Sequence, residues 1–242
     1  MPKAIIVGAT SGIGKEVALQ LLAKGWELGI AGRRTERLDE IKAQAPQQIH
    51  TRRIDVRSDD AASDLLALIG DLGGMDLYIH CSGVGCQNIE LNPDAELNIV
   101  ATNVDGFVRL VDCAFSYFLG KGGGHLCIIS SIAGTKGLGA ACAYSASKAF
   151  QNTYLDALEQ LSVMRKCPMT FTDVRPGFVD TDLLADGKSY PFKMNVTDVA
   201  SSIVKGIETK KRVLVIDWKY ELLVFVWRLV PQCLWKYFPI KS

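Results

Sequence analysis

The chain has 242 residues, nearly equal numbers of basic and acidic side chains, and a formal net charge of +1. This length suits one large domain, and the near-neutral charge argues against nucleic acid as a partner. The seven cysteines are an odd number without a Cys-x-x-Cys pair, which is typical of reduced thiols. Because no basic and apolar leader precedes the first apolar stretch, the sequence predicts a cytoplasmic protein.

Short apolar stretches alternate with helix-periodic stretches along most of the chain. We predict strands over residues 3–8, 27–32, 48–54, 75–81, 124–130, 168–175 and 211–216, and helices over residues 12–24, 35–45, 59–70, about 95–119, 143–165 and 196–208. Strands that alternate with helices form a parallel sheet with helices on both faces. The predicted fold is one doubly wound α/β domain over residues 1–217, which binds its ligands at the carboxyl ends of the strands.

A glycine-rich turn joins the first predicted strand to the first helix. Gly8, Gly12 and Gly14 lie in this turn with the spacing Gly-x-x-x-Gly-x-Gly. Glycines allow a tight turn, a close approach of a phosphate to the backbone, and close helix packing. Because the N-terminus of a helix favours anions, the turn predicts a site for the pyrophosphate of a dinucleotide.

The second predicted strand ends in Ala31-Gly32-Arg33-Arg34. An acidic residue there would accept a hydrogen bond from a ribose 2′-hydroxyl and repel a 2′-phosphate. Gly32 leaves room instead, and an arginine can clamp a phosphate through two hydrogen bonds. We therefore predict NADP(H) rather than NAD(H); the alternative is that both arginines form a solvated helix start.

Tyr144, Lys148 and Ser131 indicate a proton-donating site for a carbonyl group. Tyr144 and Lys148 are four residues apart on a predicted helix, so both side chains can reach one site. A nearby ammonium group favours the phenolate and lowers the pKa of a tyrosine. Ser131, at the end of a strand, could hydrogen-bond the oxygen that Tyr144 protonates. Alone, the pair would more often be a helical pair on a solvated surface.

Residues 218–242 form an apolar, aromatic C-terminal tail. Its uninterrupted apolar run, Leu222 to Trp227, is far shorter than the ~20 residues that span a bilayer. Tryptophan, lysine and arginine among aliphatic residues are typical of a helix that lies on a membrane surface. A tail that packs on the domain, closes the pocket or makes a subunit contact is the alternative.

From about residue 3 to residue 216, the chain resembles the short-chain dehydrogenases/reductases. The motifs occur in the order of that family: Gly8-x-x-x-Gly12-x-Gly14, Asp55-Val56, Asn103, Ile129-Ser130-Ser131, Tyr144-x-x-x-Lys148 and Arg175-Pro176-Gly177-Phe178-Val179-Asp180-Thr181. The resemblance implies a single Rossmann-type domain and a homodimer or homotetramer that assembles through the helices near 97–119 and 143–165.

The resemblance also implies a set of cofactor contacts and no metal. The implied residues are Gly8, Thr10, Ser11, Gly12, Ile13, Gly14, Arg33, Arg34, Asp55, Val56, Cys81, Ser82, Gly83, Tyr144, Lys148, Pro176, Gly177, Val179 and Thr181. The chain departs from the family at His80-Cys81-Ser82-Gly83, where Asn-Asn-Ala-Gly is usual, and at Ser11, where some NADP-dependent members have a basic residue. We interpret His80 as structural and Cys81 as a packing residue.

The catalytic roles implied by the resemblance agree with the chemistry of the residues. Tyr144 is the expected general acid or base, and Lys148 lowers its pKa and holds the nicotinamide ribose. Ser131 stabilises the substrate oxygen and is preferred to Ser130, whose side chain points to the opposite face of the strand. Asn103 positions a water in a relay to Lys148. Ser131 and Tyr144 are the expected substrate contacts.

The sequence therefore predicts an NADPH-dependent oxidoreductase that acts on a hydrophobic or acyl-type carbonyl or alcohol, with peripheral membrane contact if the tail lies on a bilayer. The alternative is a non-catalytic NADP-binding sensor or scaffold, which has no need of Tyr144 or Ser131. Epimerisation through a keto intermediate uses the same tyrosine and lysine but normally needs a bulkier substrate region. Here the segment from Asp182 to Asn195 is short, with Gly187 and Pro191, which suggests an open pocket.

Overall fold

The computed structural model of the chain describes residues 1–184, 190, 192–238 and 240. The strands are β1 (Lys3–Val7), β2 (Glu27–Gly32), β3 (Ile49–Arg53), β4 (Leu77–His80), β5 (Gly124–Ile129), β6 (Met169–Arg175) and β7 (Val213–Val215). The α-helices are α1 (Gly12–Ala23), α2 (Thr35–Lys42), α3 (Ala61–Leu72), α4 (Pro93–Val100), α5 (Gly106–Lys121), α6 (Cys142–Met164), α7 (Val196–Glu208), α8 (Trp218–Leu229) and α9 (Gln232–Trp235).

All strand pairs in the sheet are parallel, and the strand order is β3-β2-β1-β4-β5-β6-β7. From β1 the chain first adds β2 and β3 toward one edge of the sheet, and then adds β4 to β7 toward the other edge. The direction therefore changes between β1 and β4. In doubly wound sheets a crevice opens at this point, outside the carboxyl ends of the strands. The topology therefore places the turn after β1 and the residues after β4 beside the expected ligand site.

Apolar side chains cover both faces of the sheet, as β1 shows. Ile6 belongs to a core cluster that includes residues of α1, α2 and α7, whereas Ile5 and Val7 belong to a second cluster with residues of α3, α5 and α6. Side chains alternate between the faces of a strand, so a strand that is covered on both sides needs apolar residues at every position. The predicted doubly wound α/β fold is confirmed.

The predicted helix over residues 95–119 is two helices joined by a wider helical turn. Asn92 caps α4 through its side-chain oxygen, which accepts from the backbone N–H groups of Asp94 and Ala95. Residues Ala101–Asp105 then form a π-helical turn before α5. Such turns accommodate an extra residue in a helix and are frequent at functional sites. The turn contains Asn103, whose side chain is fully buried.

The C-terminal tail is helical and packs on the domain through a small apolar cluster of Ile132, Tyr220 and Val224. Helix α8 has 12 residues, and among the described residues we find no helix that is long and apolar enough to cross a membrane. Gly187 and Pro191, which we used to predict a short lid, lie outside the described residues. The ends of that segment are described, and Val179 pairs with Met194 where the chain returns.

Candidate active site

A cavity of about 710 Å³ lies at the carboxyl ends of the strands. The turn after β1, the ends of β2, β4, β5 and β6, and one face of α8 line it. The predicted site residues that line the cavity are Gly8, Thr10, Ser11, Gly12, Ile13, Gly14, Arg33, Arg34, Asp55, Val56, Cys81, Ser82, Gly83, Ser131, Tyr144, Lys148, Pro176, Gly177, Val179 and Thr181. Asn103 is buried behind the wall.

The glycine turn has no room for side chains at two of its positions. Gly8 has a φ of +92°, and a Cβ there would lie 2.6 Å from the backbone nitrogen of Ser82. A Cβ on Gly14 would lie 2.3 Å from the carbonyl oxygen of Gly8. Helix α1 begins at Gly12, within this glycine-rich stretch, and the side chain of its N-cap residue, Ser11, makes no capping hydrogen bond. The free N–H groups of that first turn suit the pyrophosphate of a dinucleotide.

Arginines surround the part of the cavity at the end of β2. Arg34 donates hydrogen bonds to the hydroxyl groups of Thr10 (2.9 Å) and Ser11 (2.7 Å) and lies 3.7 Å from Asp182. Arg33 is exposed at the cavity wall. At the position where an acidic residue would exclude a 2′-phosphate, the chain has Gly32, whose missing Cβ would lie 2.6 Å from the methyl group of Thr10.

Arg57 is a third arginine in this wall, and the sequence analysis missed it. It donates to both carboxylate oxygens of Asp55, at 3.3 Å from Nε and 3.2 Å from Nη2. These hydrogen bonds, and then the charge of Arg33, hold the pKa of Asp55 below its usual range. Asp55 is therefore an ionised acceptor beside the cavity. A basic residue two positions after a strand-end aspartate was a visible signal for this pair.

Ser131 and Tyr144 meet at the cavity wall. The Ser131 hydroxyl accepts from the backbone N–H of Ala133 at 3.1 Å, and both Ser131 and Tyr144 line the cavity. Ser130 points away, as predicted, and donates to Asp173 and to the carbonyl oxygen of Val174. Gly85 passes over the Tyr144 ring so closely that a Cβ there would lie 2.5 Å from it.

The pKa of Tyr144 moves in the direction opposite to our prediction. Burial raises it, and the nearby Ser131 hydroxyl has a smaller effect in the opposite direction. The Lys148 ammonium lies 5.9 Å from the centre of the Tyr144 ring, and its own pKa is lowered to about 8, mainly by burial. The phenol is therefore protonated at neutral pH, which suits a proton donor.

Lys148 is linked to Asn103 by a side chain that the sequence analysis did not single out. The Lys148 ammonium donates to the carbonyl oxygen of Ile129 and to the Gln151 side-chain oxygen, both at 3.0 Å. The Gln151 amide nitrogen donates to the backbone carbonyl oxygen of Asn103 at 2.9 Å. Gln151 thus connects Lys148 to the backbone of Asn103. The water relay from Asn103 to Lys148 stays a prediction. The place of Gln151 three residues after Lys148, on the same helical face, was a usable signal.

The Asn103 side chain braces a loop rather than reaching the cavity. Its amide nitrogen donates to the Val84 carbonyl oxygen at 2.8 Å and to the Ser147 hydroxyl at 3.1 Å. Its oxygen accepts from the Val84 N–H at 2.9 Å. Asn103 therefore joins Val84, in the segment that follows β4, to Ser147 on the helix that carries Tyr144 and Lys148.

His80 and Cys81, where the chain departs from the family pattern, have no reactive character here. The His80 ring is buried, contacts the Tyr78 hydroxyl at 3.0 Å, and burial lowers its pKa to about 3. Burial raises the pKa of the Cys81 thiol to about 12. The imidazole is neutral and the thiol protonated at neutral pH, which agrees with the structural interpretation of both residues.

Thr181 and the tail close the cavity from the side of β6. A Cβ on Gly12 would lie 3.1 Å from the Thr181 methyl group, so Thr181 faces the glycine turn. A Cβ on Gly177 would overlap the Tyr220 ring at 2.2 Å, and Tyr220 is 1% exposed. Tyr220, Leu223 and Trp227 line the cavity from α8, so the tail is part of its wall.

Comparison with known proteins identifies the family. A family model described as "short chain dehydrogenase" matches residues 2–190. The chain belongs to the short-chain dehydrogenase family. An uncharacterized oxidoreductase of Myxococcus xanthus is 33% identical over 211 residues, which cover 84% of this chain and 83% of that protein. An uncharacterized oxidoreductase of Mycobacterium tuberculosis is 30% identical over 242 residues, 95% of this chain and 94% of that protein.

Solved structures of other short-chain dehydrogenases share the fold. An actinorhodin polyketide ketoreductase crystallised with NADPH superimposes with a TM-score of 0.76 at 24% identity, covering 89% of this chain and 95% of that one. A short-chain dehydrogenase from Streptomyces avermitilis gives a TM-score of 0.82 at 20% identity, with 93% and 92% covered. The family match and the two relatives make this protein an oxidoreductase of the short-chain dehydrogenase family.

Proposed function

We propose that this short-chain dehydrogenase uses NADP(H) to interconvert an apolar carbonyl compound and its alcohol. One observation carries the proposal: the same cavity is lined by Ser131 and Tyr144 and, at the end of β2, by Arg33 and Arg34. The first pair suits proton transfer to a carbonyl oxygen. The arginines suit a 2′-phosphate.

A nicotinamide bound in this cavity would supply hydride to the carbonyl carbon, and the chain would supply the proton. Tyr144 donates its phenolic proton to the substrate oxygen, so hydride on carbon and proton on oxygen give the alcohol. The hydroxyl of Ser131 holds that oxygen beside the phenol. The ammonium group of Lys148 stabilises the phenolate that remains, and Gln151 holds the ammonium in place.

The walls of the cavity favour an apolar substrate. Phe178 and Leu183 line it from the segment after β6, and Leu223 and Trp227 line it from the tail. Burying a leucine-sized apolar group stabilises a complex by about 1.5–3 kcal/mol. We therefore expect the rate at low substrate concentration to rise with the length of the apolar chain of a ketone or aldehyde.

The experiment follows the loss of NADPH absorbance with ketones and aldehydes of increasing apolar length, in the wild type and in Tyr144→Phe. We expect the substitution to lower turnover by about 100-fold or more and to leave NADPH binding intact. Retained turnover in Tyr144→Phe would refute the mechanism. Tight NADPH binding without turnover on any substrate would favour the non-catalytic NADP-binding protein.

Cofactor choice is tested with a matched pair of variants. Arg33→Ala is expected to weaken NADPH binding about tenfold or more, because a charged hydrogen bond to phosphate is lost, and to leave NADH binding unchanged. Arg37→Ala, on the exposed side of α2, should change neither. Tighter binding of NADH than of NADPH by the wild type would overturn the preference.

We also propose that the protein is a homodimer or homotetramer that assembles through α5 and α6. Exposed apolar side chains near these helices support this arrangement: Leu97, Val163 and Met164 are 65%, 74% and 71% exposed. Light scattering of the purified protein would give the mass, and a monomer would contradict the proposal.

A further inference from the structure

The helix α8 is apolar on two opposite faces. Its inner face carries Tyr220 and Val224, which are 1% and 4% exposed and pack on the domain, and Leu223 and Trp227, which line the cavity. These positions follow the spacing of three and four residues that defines one side of a helix. The inner face therefore accounts for the packing of the tail on the domain, but it does not explain why the opposite face of α8 is also apolar.

The opposite side of the tail carries an exposed apolar stripe. Its members, which we call the outer stripe, are 47–68% exposed: Trp218, Leu222, Phe225, Val226 and Leu229. The rings of Trp227 and Trp235, 5.3 Å apart, hold α9 against α8. Helices that are apolar all round are normally buried in a core or in a membrane, and a continuous exposed apolar patch marks an interaction surface.

Basic side chains flank the outer stripe. Lys219, Arg228 and Lys236 are exposed, whereas the acidic residue within these two helices, Glu221, lies 3.9 Å from Lys211. Basic residues beside aromatic and aliphatic ones favour the surface of an anionic bilayer, and tryptophan and tyrosine favour its headgroup region. Two copies of this surface would instead bring like charges together, which opposes self-association.

We propose that the outer stripe docks the protein on an anionic lipid bilayer, with α8 lying in the plane of the surface. At 12 residues, α8 is too short to span a membrane, which takes ~20. An interfacial helix instead buries its apolar face about 5–10 Å deep, at the boundary of headgroups and acyl chains.

The same helix then connects the lipid surface to the cavity. Its inner residues Leu223 and Trp227 form cavity wall on the side opposite to Phe225 and Leu229. A substrate with an alkyl chain that is dissolved in the bilayer would meet the enzyme at this helix. This last step rests on the proposed oxidoreductase function, whereas the docking does not.

Vesicle co-sedimentation tests the docking with the full chain. The vesicles contain phosphatidylcholine alone or phosphatidylcholine mixed with phosphatidylglycerol. We expect binding to the anionic vesicles, and a decrease when salt is raised from about 0.1 M to about 0.5 M, because salt screens the charges. The double substitution of Phe225→Glu with Leu229→Glu should weaken binding at least about tenfold.

A matched control tests whether any exposed apolar side chain, rather than the outer stripe, causes vesicle binding. Leu66→Glu changes a leucine on α3 that is 52% exposed and should bind vesicles as the wild type does. Tyr144→Phe should also bind vesicles normally, so a loss of catalysis is distinguishable from a loss of docking. Equal vesicle binding by the double variant and the wild type would overturn the proposal. So would a wild type that binds no vesicle while its mass in solution falls on the double substitution, since the stripe would then be a subunit contact.

Discussion

Gln151 joins Lys148 to the backbone of Asn103 through two hydrogen bonds. The orientation of its amide follows from its partners, because an ammonium group only donates and a carbonyl oxygen only accepts. Its oxygen therefore faces Lys148 and its nitrogen faces the Asn103 carbonyl. The acceptor stabilises the charged form of a lysine whose pKa burial has lowered to about 8.

We expect substitutions of Gln151 to move the alkaline limb of the kcat–pH profile in opposite directions. Gln151→Leu removes an acceptor, so the pKa of Lys148 should fall and activity should be lost at lower pH. Gln151→Glu adds a negative partner, so that pKa should rise and the limb should move to higher pH.

Gln20→Leu provides the control for these variants. Gln20 lies on α1, where its side chain contacts Glu16, Thr197 and Ser201, and its loss should leave the profile unchanged. A profile that is the same in Gln151→Leu, Gln151→Glu and the wild type would contradict the positioning role, even if all rates were lower.

We expect Lys148 to lower the free energy of unfolding at neutral pH. Its pKa of about 8 in the folded protein lies below the ordinary 10.5, so the unfolded chain binds more protons between these values. Stability should rise with pH across this window, by about 3 kcal/mol in total. We expect Lys148→Met to be inactive but more stable than the wild type at pH 7, with the difference shrinking above pH 8. Urea unfolding at several pH values measures this, and a wild type that is more stable at pH 7 would refute it.

At the level of elements, the tail depends on the fit between Tyr220 and the turn after β6. The Tyr220 ring occupies the space over Gly177, and its hydroxyl accepts from the Phe178 N–H at 3.2 Å and donates to the Phe192 carbonyl oxygen at 3.3 Å. Tyr220 therefore anchors α8 through its buried ring and its hydroxyl, in addition to the packing of Val224.

Tyr220→Ala should lower the free energy of unfolding by about 3 kcal/mol or more, because a large buried ring leaves a cavity. It should also raise KM for apolar substrates, since α8 lines the site. Tyr237→Ala, in the same tail but 72% exposed, should change stability by less than about 0.5 kcal/mol. Denaturant unfolding and KM measured on both variants check this, and equal effects would show that Tyr220 does not anchor the tail.

At the level of the whole molecule, two histidines that are buried or half-buried and neutral, His80 and His125, should make the fold sensitive to mild acid. Burial lowers the pKa of His80 to about 3 and that of His125 to about 4, from the ordinary 6.5. The unfolded chain therefore binds more protons below pH 6.5, and stability should fall as pH decreases from about 6.5 toward 4.

Urea unfolding between pH 7 and pH 5 should show this fall, and His80→Gln should make it shallower. Glutamine retains an acceptor for the Tyr78 hydroxyl, which now contacts the His80 ring at 3.0 Å, and does not titrate. The same dependence on pH in His80→Gln and the wild type would mean that other groups control acid stability.

Most of the fold could be predicted from the sequence, because each signal depends on residues that are close together in the chain. The Ile-Ile-Val run of β1, the glycines at 8, 12 and 14, and the four-residue spacing of Tyr144 and Lys148 each act over a few residues. The errors in the predicted helix boundaries occur where contacts between distant residues override these local signals. The predicted helix near 95–119 is interrupted at Asn103, whose side chain is held by Val84.

Contacts between residues far apart in sequence, and the pKa shifts that these contacts create, could be seen only in the folded structure. Gln151 meets Asn103 across 48 positions, and Tyr220 meets Phe178 across 42; no periodicity of the sequence encodes either. The upward shift in the pKa of Tyr144 likewise reflects burial, which depends on every element around the cavity. The chemistry of a residue is visible in its type and spacing, whereas its neighbours and its desolvation exist only once the sheet, the helices and the tail have packed together.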